Sequence, residues 1–400
     1  MRKFKALTVG SLLAVSGAMF AASSMAQETL ILGVSAPMSG AAANWGIGQE
    51  WAAKQAAKEI NDAGGVKVNG KTYLFEVKGY DNKYNAAEGT KVAQQLINRD
   101  GSKYVVGAIG TAPTLALQSL AERNNVLLLQ SGWGKSIKGP KHPLTFTQAN
   151  TPFEILEPLY GYIKEQNPNI KTVAILNPND ATGKETLPVA EKVWADLGVK
   201  VVDVSWYERG TSQFQPIAAK LAALKPDVID IGVTPPGDAG VILKELDVLG
   251  WKGVKTQPAG TNAKQVVKIA GDASNGLYLG FSGDYGGDKA TPKQRELNQG
   301  MIAAIGESIN PLQIAGYDMV YALKAGMEAS NSLDPKVIAK TLPTIIFDSS
   351  YGKTAFGGEQ MYGIPQQALI PVMVTQIQNG EVKELLRIPP AELQKRLASQ

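Results

Sequence analysis

The residue types that could carry covalent, redox or metal chemistry are scarce in this chain, and their spacing argues against such chemistry. Gly132-Trp133-Gly134-Lys135-Ser136 ends as a phosphate-cradling loop ends, but that loop needs a glycine five residues before Gly134, where Leu129 stands. Gly46 and Gly48 begin a dinucleotide-binding fingerprint whose third glycine falls on Trp51. His142 is the only histidine, so no multi-histidine zinc site can form, and its neighbours Gly139, Pro140 and Pro143 read as a solvated connector. Cysteine is absent, which removes thiol nucleophiles, thiolate metal sites and disulfides together. No Gly-x-Ser-x-Gly elbow occurs. Asp and Glu number 36, enough for a glycosidase-type pair, yet no spacing singles one out. The expectation is a protein without catalytic residue, metal or cofactor.

The elements around these loops form a repeating series. An apolar run at Leu30 to Ser35, a loop from Ala36 to Gly46 and a helical pattern from Asn44 to Asn61 ending at Gly64-Gly65 make a strand, a loop and a capped helix. The unit recurs as Tyr73 to Val77 with Asn85 to Ile97, then Tyr104 to Ile109 with Leu115 to Arg123, then Val126 to Leu129. From Thr151 the rhythm restarts: helix Pro152 to Lys164, strand Thr172 to Leu176, helix Lys184 to Leu197, strand Lys200 to Ser205, helix Phe214 to Ala223, strand Val228 to Val233, helix Asp238 to Leu249 and a strand near Val254 to Gln257. A strand at Gly276 to Gly280 and helices at Lys293 to Ile305 and Pro311 to Ser330 follow. Gln367 to Ile377 and Glu381 to Ile388 then read as a hairpin through Asn379-Gly380. Alternating strands and helices predict an α/β fold of two doubly wound parallel-sheet lobes. Ligands of such sheets sit beyond the carboxyl ends of the strands, which directs attention to four loops, Ala36 to Gly46, Gly110 to Thr114, Gln130 to Ser136 and Asn177 to Gly183.

Composition and the amino terminus set the compartment. Arg2, Lys3 and Lys5 precede an apolar run from Ala6 to Ala22 and small residues at Ser24 and Ala26, so residues 1–26 read as a cleaved secretory signal, which predicts a periplasmic protein. Without those three cations, 37 basic residues face 36 acidic ones, which offers nothing to nucleic acid. No later apolar stretch approaches the roughly 20 residues of a membrane span. Residues 27–400 exceed the roughly 250 to 300 at which a single core stops growing, so two domains are expected.

Several segments resemble the type I periplasmic binding proteins of branched-chain amino-acid and related ABC importers. They are Gly33-Val34-Ser35-Ala36-Pro37-Met38-Ser39-Gly40 with Trp45-Gly46, Glu59-Ile60-Asn61 with Ala63-Gly64-Gly65-Val66, Tyr80-Asp81-Asn82, Val106-Gly107-Ala108-Ile109-Gly110, and Ile269-Ala270-Gly271 with Gly276. The resemblance implies a monomeric receptor with a three-segment hinge, a small-molecule ligand held between the lobes and a membrane permease as partner. It places lobe one at 27–147 plus 280–352 and lobe two at 148–279 plus 353–400. A ligand carboxylate would fall to Thr111, Gly132 and Gly134, in line with the oriented N–H donors that a buried anion requires. Thr111 would sit just before the helix at Leu115, where it also suits a plain cap. Trp45 and Trp133 would flank the ligand body or pack within their lobe. Thr182 and Thr234 would reach in from lobe two. The acidic residue that pairs an amino-acid ammonium in the family falls here on Ala259, so the resemblance implies a carboxylate ligand without an ammonium group. Lys135 could pair a ligand anion, and Asp284 could supply the missing acid from the far lobe. Branched-chain amino-acid or amide binding, a sensing module for a signalling partner, and a hydrolase with an unrecognised carboxylate pair remain the other readings.

Overall fold

Runs such as Leu127-Leu128-Leu129 become strands covered on both faces, the condition under which parallel sheets are stable. The computed structural model describes residues 28–261 and 263–399; the expected leader, residues 1–26, lies outside them. The first six strands are β1 (Glu28–Ala36), β2 (Val66–Val68), β3 (Lys71–Asp81), β4 (Tyr104–Ala108), β5 (Leu127–Gln130) and β6 (Thr145–Thr147). Next come β7 (Thr172–Pro178), β8 (Lys200–Tyr207), β9 (Val228–Asp230), β10 (Val254–Gln257) and β11 (Tyr278–Leu279). The last are β12 (Phe347–Ser349), β13 (Gly352–Thr354), β14 (Phe356–Gly357), β15 (Gln367–Ala368), β16 (Val372–Gln378) and β17 (Glu381–Ile388).

They assemble into two sheets and a ribbon. The first sheet runs β14-β15-β6-β5-β4-β1-β3-β2, the second β17-β16-β11-β10-β9-β7-β8, and β12 pairs with β13 alone. Within the first, β3, β1, β4, β5 and β6 are mutually parallel, with Glu28 opposite Tyr73 and Ala36 opposite Asp81. Within the second, β8, β7, β9, β10 and β11 are parallel. The chain steps from β1 to β3 on one side and then to β4 on the other, and it repeats the move around β7. Each sheet therefore has a switch point where two consecutive loops part and leave a crevice.

Helices cover both faces. Ala43–Asp62 buries Ala52, Ala53, Ala56 and Ala57 and crosses helix Pro311–Ser330 closely. A Cβ on Gly316 would stand 2.3 Å from the Gln49 carbonyl oxygen, and one on Gly48 the same distance from the Gln313 amide nitrogen. The glycine that imitated a nucleotide fingerprint thus serves helix packing. Helix Pro311–Ser330 starts with Asn310 as cap, Pro311 in its first turn and a reciprocal Gln313 bond.

The carboxyl-terminal segment is shared between the two sheets. Residues 353–400 do not belong wholly with the second sheet: β14 and β15 pair in the first, Gln367 opposite Thr147, and helix Ala391–Ala398 packs Leu393 with Ala355 and Leu369. The expected strand Gln367 to Ile377 is broken because Pro371 has no N–H to give a ladder. The hairpin through Asn379-Gly380 forms, both turn residues taking positive φ. Helix Ala263–Ala270 and strands β2 and β6 were not anticipated; the two strands are three residues each, too short to show a period.

Where chain passes between the sheets, one buried cation joins the strands. Lys138 Nζ donates to Gln367 Oε1 at 2.6 Å and Thr151 Oγ1 at 3.3 Å and lies 3.9 Å from the Tyr362 ring centre. Asn150 ties the same passages, donating to the Pro371 carbonyl at 2.9 Å. Burial pushes Lys138 down to about 8 from 10.5, partly offset by Glu154. Below pH 8 the folded protein carries a desolvated charge. Between 8 and 10.5 the unfolded chain binds more protons there, so this group's contribution to stability rises with pH. Denaturation from pH 7 to 10.5 should show that rise in the unaltered chain relative to Lys138→Met; a flat difference would mean an ordinary lysine.

Candidate functional site

Loops from the carboxyl ends of both sheets meet in one cavity. Ile109 and Gly110 follow β4, Ser131 and Trp133 follow β5, Trp45 comes from the helix after β1, and Tyr84 follows β3. From the second sheet come Thr182 after β7, Val233 after β9, Ala259 and Thr261 after β10, and Phe281 after β11, while Leu312 closes one side from the start of helix Pro311–Ser330. A larger trough of about 860 Å³ lies around Trp251, Asp247 and Lys255, but it sits at the amino ends of β9 to β11, away from the switch points.

Aromatic rings form the walls in two pairs. Trp45 and Tyr84 stand 6.2 Å apart and tilted, and Trp133 meets Phe281 edge to face at 5.3 Å. The polar groups are neutral hydroxyls. Thr182 Oγ1 donates to Thr111 Oγ1 at 2.9 Å, accepts from the Thr111 amide at 3.3 Å, and lies 3.3 Å from the Tyr84 hydroxyl. Trp45 Nε1 donates to Thr261 Oγ1 at 2.6 Å. Ser131 Oγ accepts from Gln49 Nε2 at 3.0 Å. Among the described residues no acidic or basic side chain lines the cavity. Among the described residues no group of three or more His, Cys, Asp or Glu could hold a metal ion, and no helix is long and apolar enough to cross a membrane.

The cavity is tight. Only about 20 Å³ admits the centre of a water-sized sphere, against the roughly 10–15 Å³ that one water needs and the roughly 300 Å³ at which small-molecule sites begin. Further contacts hold the two sides together. Ser136 donates through N at 2.9 Å and Oγ at 2.5 Å to Glu185, and Lys264 donates to the Gly306 carbonyl at 2.8 Å.

Four of the sequence-selected residues, Trp45, Trp133, Thr182 and Ala259, line the cavity. Thr111 touches it through Thr182, but its helix begins at Thr111 rather than Leu115, with Gly110 as cap at φ +92°, so Thr111 is not a plain cap. Gly110 must be glycine there, being left-handed and passing close to the Tyr84 ring. Gly134 backs Thr111: a Cβ would stand 2.4 Å from Thr111 Cγ2. Gly132 is misplaced as a donor, because its amide already donates to Gln130 Oε1. Thr234 turns its hydroxyl onto the Ile231 carbonyl, and Val233 takes the cavity wall instead. Lys135 lies 5.6 Å from the Phe153 ring, and Asp284 lines a neighbouring pocket that shares Thr261.

Sequence reading missed Tyr84, Ser131, Thr261 and Phe281. For Tyr84 the signal was present in Tyr80-Asp81-Asn82. Asn82 donates to the carbonyls of Ser35 and Ile109, and its Oδ1 accepts from the Tyr84 amide at 2.9 Å; Asp81 accepts from the amides of Met38 and Lys83. Both Lys83 and Tyr84 are thereby held at positive φ, which turns the chain toward the cleft. Burial raises the Tyr84 hydroxyl above its ordinary pKa, opposed by the Arg209 guanidinium.

The comparisons agree with this geometry. The sequence profile described as periplasmic binding protein matches residues 29–381. The leucine-, isoleucine-, valine-, threonine- and alanine-binding protein of Pseudomonas aeruginosa is 26% identical over 347 residues, 86% of this chain and 89% of that protein. A leucine-binding protein from Thermotoga maritima superimposes with a TM-score of 0.77 at 20% identity, covering 91% of this chain and all of the other. A solute-binding protein of an ABC transporter from R. palustris, in complex with benzoate, gives 0.75 at 17% identity over 90% and 97%. Two parallel sheets whose switch points share one cavity, and a profile match over nearly the whole described chain, mean that the chain belongs to the periplasmic binding protein family.

Proposed function

We propose that this protein is the periplasmic receptor of an ABC importer, exported through residues 1–26, and that it captures a small aromatic carboxylate between its lobes and presents it to a membrane permease without chemical turnover. Lobe one is built on the first sheet and lobe two on the second, and the passages at 148–151, 280–291 and 369–371 form the hinge. The observation that carries the ligand class is a cavity walled by Trp45, Tyr84, Trp133 and Phe281 that holds no carboxylate where an amino-acid ammonium would need one. An unpaired ammonium taken from water into a closed cleft costs several kcal/mol. Ala259, 5% exposed, offers it nothing.

A carboxylate fares better. The Thr111 amide begins a helix, where partial positive charge and free N–H groups favour an anion. In the closed cavity the acceptor for that amide is the Thr182 hydroxyl, whose place a ligand oxygen takes once the lobes part to admit it. The flat ring then lies between the indoles of Trp45 and Trp133. Benzoate in the R. palustris relative and leucine in the Thermotoga one mark the two ligand classes to compare.

A thermal-shift panel tests this directly. Benzoate-like acids at about 100 times their dissociation constant should add roughly 2.7 kcal/mol of stability. Stabilisation by leucine, isoleucine or valine with none by aromatic acids would sink the reading.

Two substitutions refine it. Trp133→Ala should weaken aromatic-acid binding by about 2 kcal/mol while leaving the apo melting temperature nearly unchanged, measured by calorimetric titration; lost stability with retained affinity would show a purely packing role. Ala259→Glu should abolish binding of benzoate-like acids by setting an anion in the cavity, and unaltered affinity would show that position 259 does not face the ligand.

A further inference from the structure

The sheet orders locate the mouth of the cleft. In the first sheet the chain leaves toward lobe two from β6 and β15, and β3 lies beyond β5, β4 and β1 from them. In the second it leaves from β11 and β16, and β8 lies beyond β10, β9 and β7. The loops after β3 and β8 therefore face each other on the side opposite the hinge. Tyr84 stands in the first and Arg209 in the second.

Across that mouth the Arg209 guanidinium carbon lies 3.9 Å from the Tyr84 ring centre. Its Nε is held by Asp180, whose other oxygen caps helix Ala181–Asp196 through the Gly183 amide at 2.9 Å. The turn that carries Arg209 is pinned by the Thr211 amide on the Glu208 carbonyl at 3.0 Å and by Asn179 Nδ2 on Glu208 at 2.6 Å. Yet Arg209 Nη1 and Nη2 are both shut off from solvent without a hydrogen-bond partner. A guanidinium uses five N–H donors, and leaving the terminal ones unmatched is costly unless the arrangement serves another state. The left-handed backbone of Lys83 and Tyr84 points the same way, since such conformations persist where surrounding structure enforces them for function.

We propose that Arg209 and Tyr84 form a gate that selects anionic ligands: with the lobes apart Arg209 draws a carboxylate to the mouth, and on closure it stacks on Tyr84 and shuts the ligand in. Tyr84 belongs to the opposite lobe, so opening withdraws the ring and exposes the guanidinium edge. Asp180 engages that cation through Nε alone, and the Nη pair remains to meet an oxyanion bidentately. Closure replaces water on the cation by the ring face, a contact strengthened by the dryness of the closed mouth. The gate rests on the reading that the ligand is a carboxylate captured by hinge closure.

Stopped-flow tryptophan fluorescence with benzoate and with neutral benzamide tests it, using Arg209→Gln and Arg209→Lys, each checked for native circular dichroism. In Arg209→Gln the association rate for benzoate should fall about tenfold at low salt and lose its ionic-strength dependence, while dissociation accelerates. Benzamide should show only the faster dissociation. Arg209→Lys should keep benzoate association and lose slow release. Equal association losses for both probes would overturn anion selection. A measurement that needs no ligand covers the other failure: the chain lacks cysteine, so spin labels at Ala87→Cys and Lys184→Cys report the width of the mouth. If benzoate leaves the unaltered protein unaffected, the aromatic-carboxylate reading fails alone; if Arg209→Gln leaves the short-distance population unchanged, the gate fails.

Discussion

Parallel pairing is the constraint from which the rest follows. Parallel strands must be joined by crossovers, so each sheet gathers all its carboxyl ends along one edge, and helices must cover both faces because neither can stay wet. The chemistry of the site is then forced into the loops just past those ends. Ile109 comes directly after β4, Ser131 directly after β5, and Ala259 and Phe281 almost directly after β10 and β11. Loops this short have little freedom. The cavity inherits the rigidity of two sheets, while relative motion is left to the passages that connect them.

The electrostatic design keeps charge at the margins of the cavity and out of its walls. Arg209 with Asp180 stands at the mouth, Glu185 with Ser136 spans the lobes, and Lys138 sits beside the passages, against Thr151 and Gln367. The walls offer hydroxyls, backbone amides and rings. In the reading proposed above, such a lining would receive one anionic group at the helix beginning at Thr111 and an apolar body beside it. It cannot compensate a buried cation, because neutral acceptors do not repay the desolvation of an ammonium. Ala259 matters by what its methyl group lacks.

The fold was legible because its signals are periodic. Both sheets, the helix Pro311–Ser330 with its proline start, and the Asn379-Gly380 hairpin all follow from apolar runs and turn residues. What escaped was set by non-local pairing: β14 and β15 are two residues each, too short for periodicity, and only the register of Gln367 with Thr147 assigns them to the first sheet. The site divided in the same way. Trp45 and Trp133 announce themselves by type in glycine-rich loops. Gly132 and Thr234 do not offer their donors to the cavity, because a nearby side chain, Gln130, or a nearby carbonyl, that of Ile231, takes the hydrogen bond first. Tyr84 was signalled only indirectly: Asp81 and Asn82 spend their hydrogen bonds on backbone groups and build the turn that aims it.

Closure itself must be finely balanced. The contacts that span the cleft, Trp45 with Thr261, Thr182 with Thr111, Ser136 with Glu185 and Lys264 with the Gly306 carbonyl, each exchange water for a protein partner, a trade worth about 1 kcal/mol net. Against them stand the ordering of side chains on both lips and the unmatched Nη groups of Arg209. Neither side of that balance is large, so a ligand that touches both lobes can decide it, whereas one bound to a single lobe has equal affinity for the open and closed forms and shifts nothing. A site formed from both switch points at once is therefore what couples ligand binding to the relative placement of the lobes.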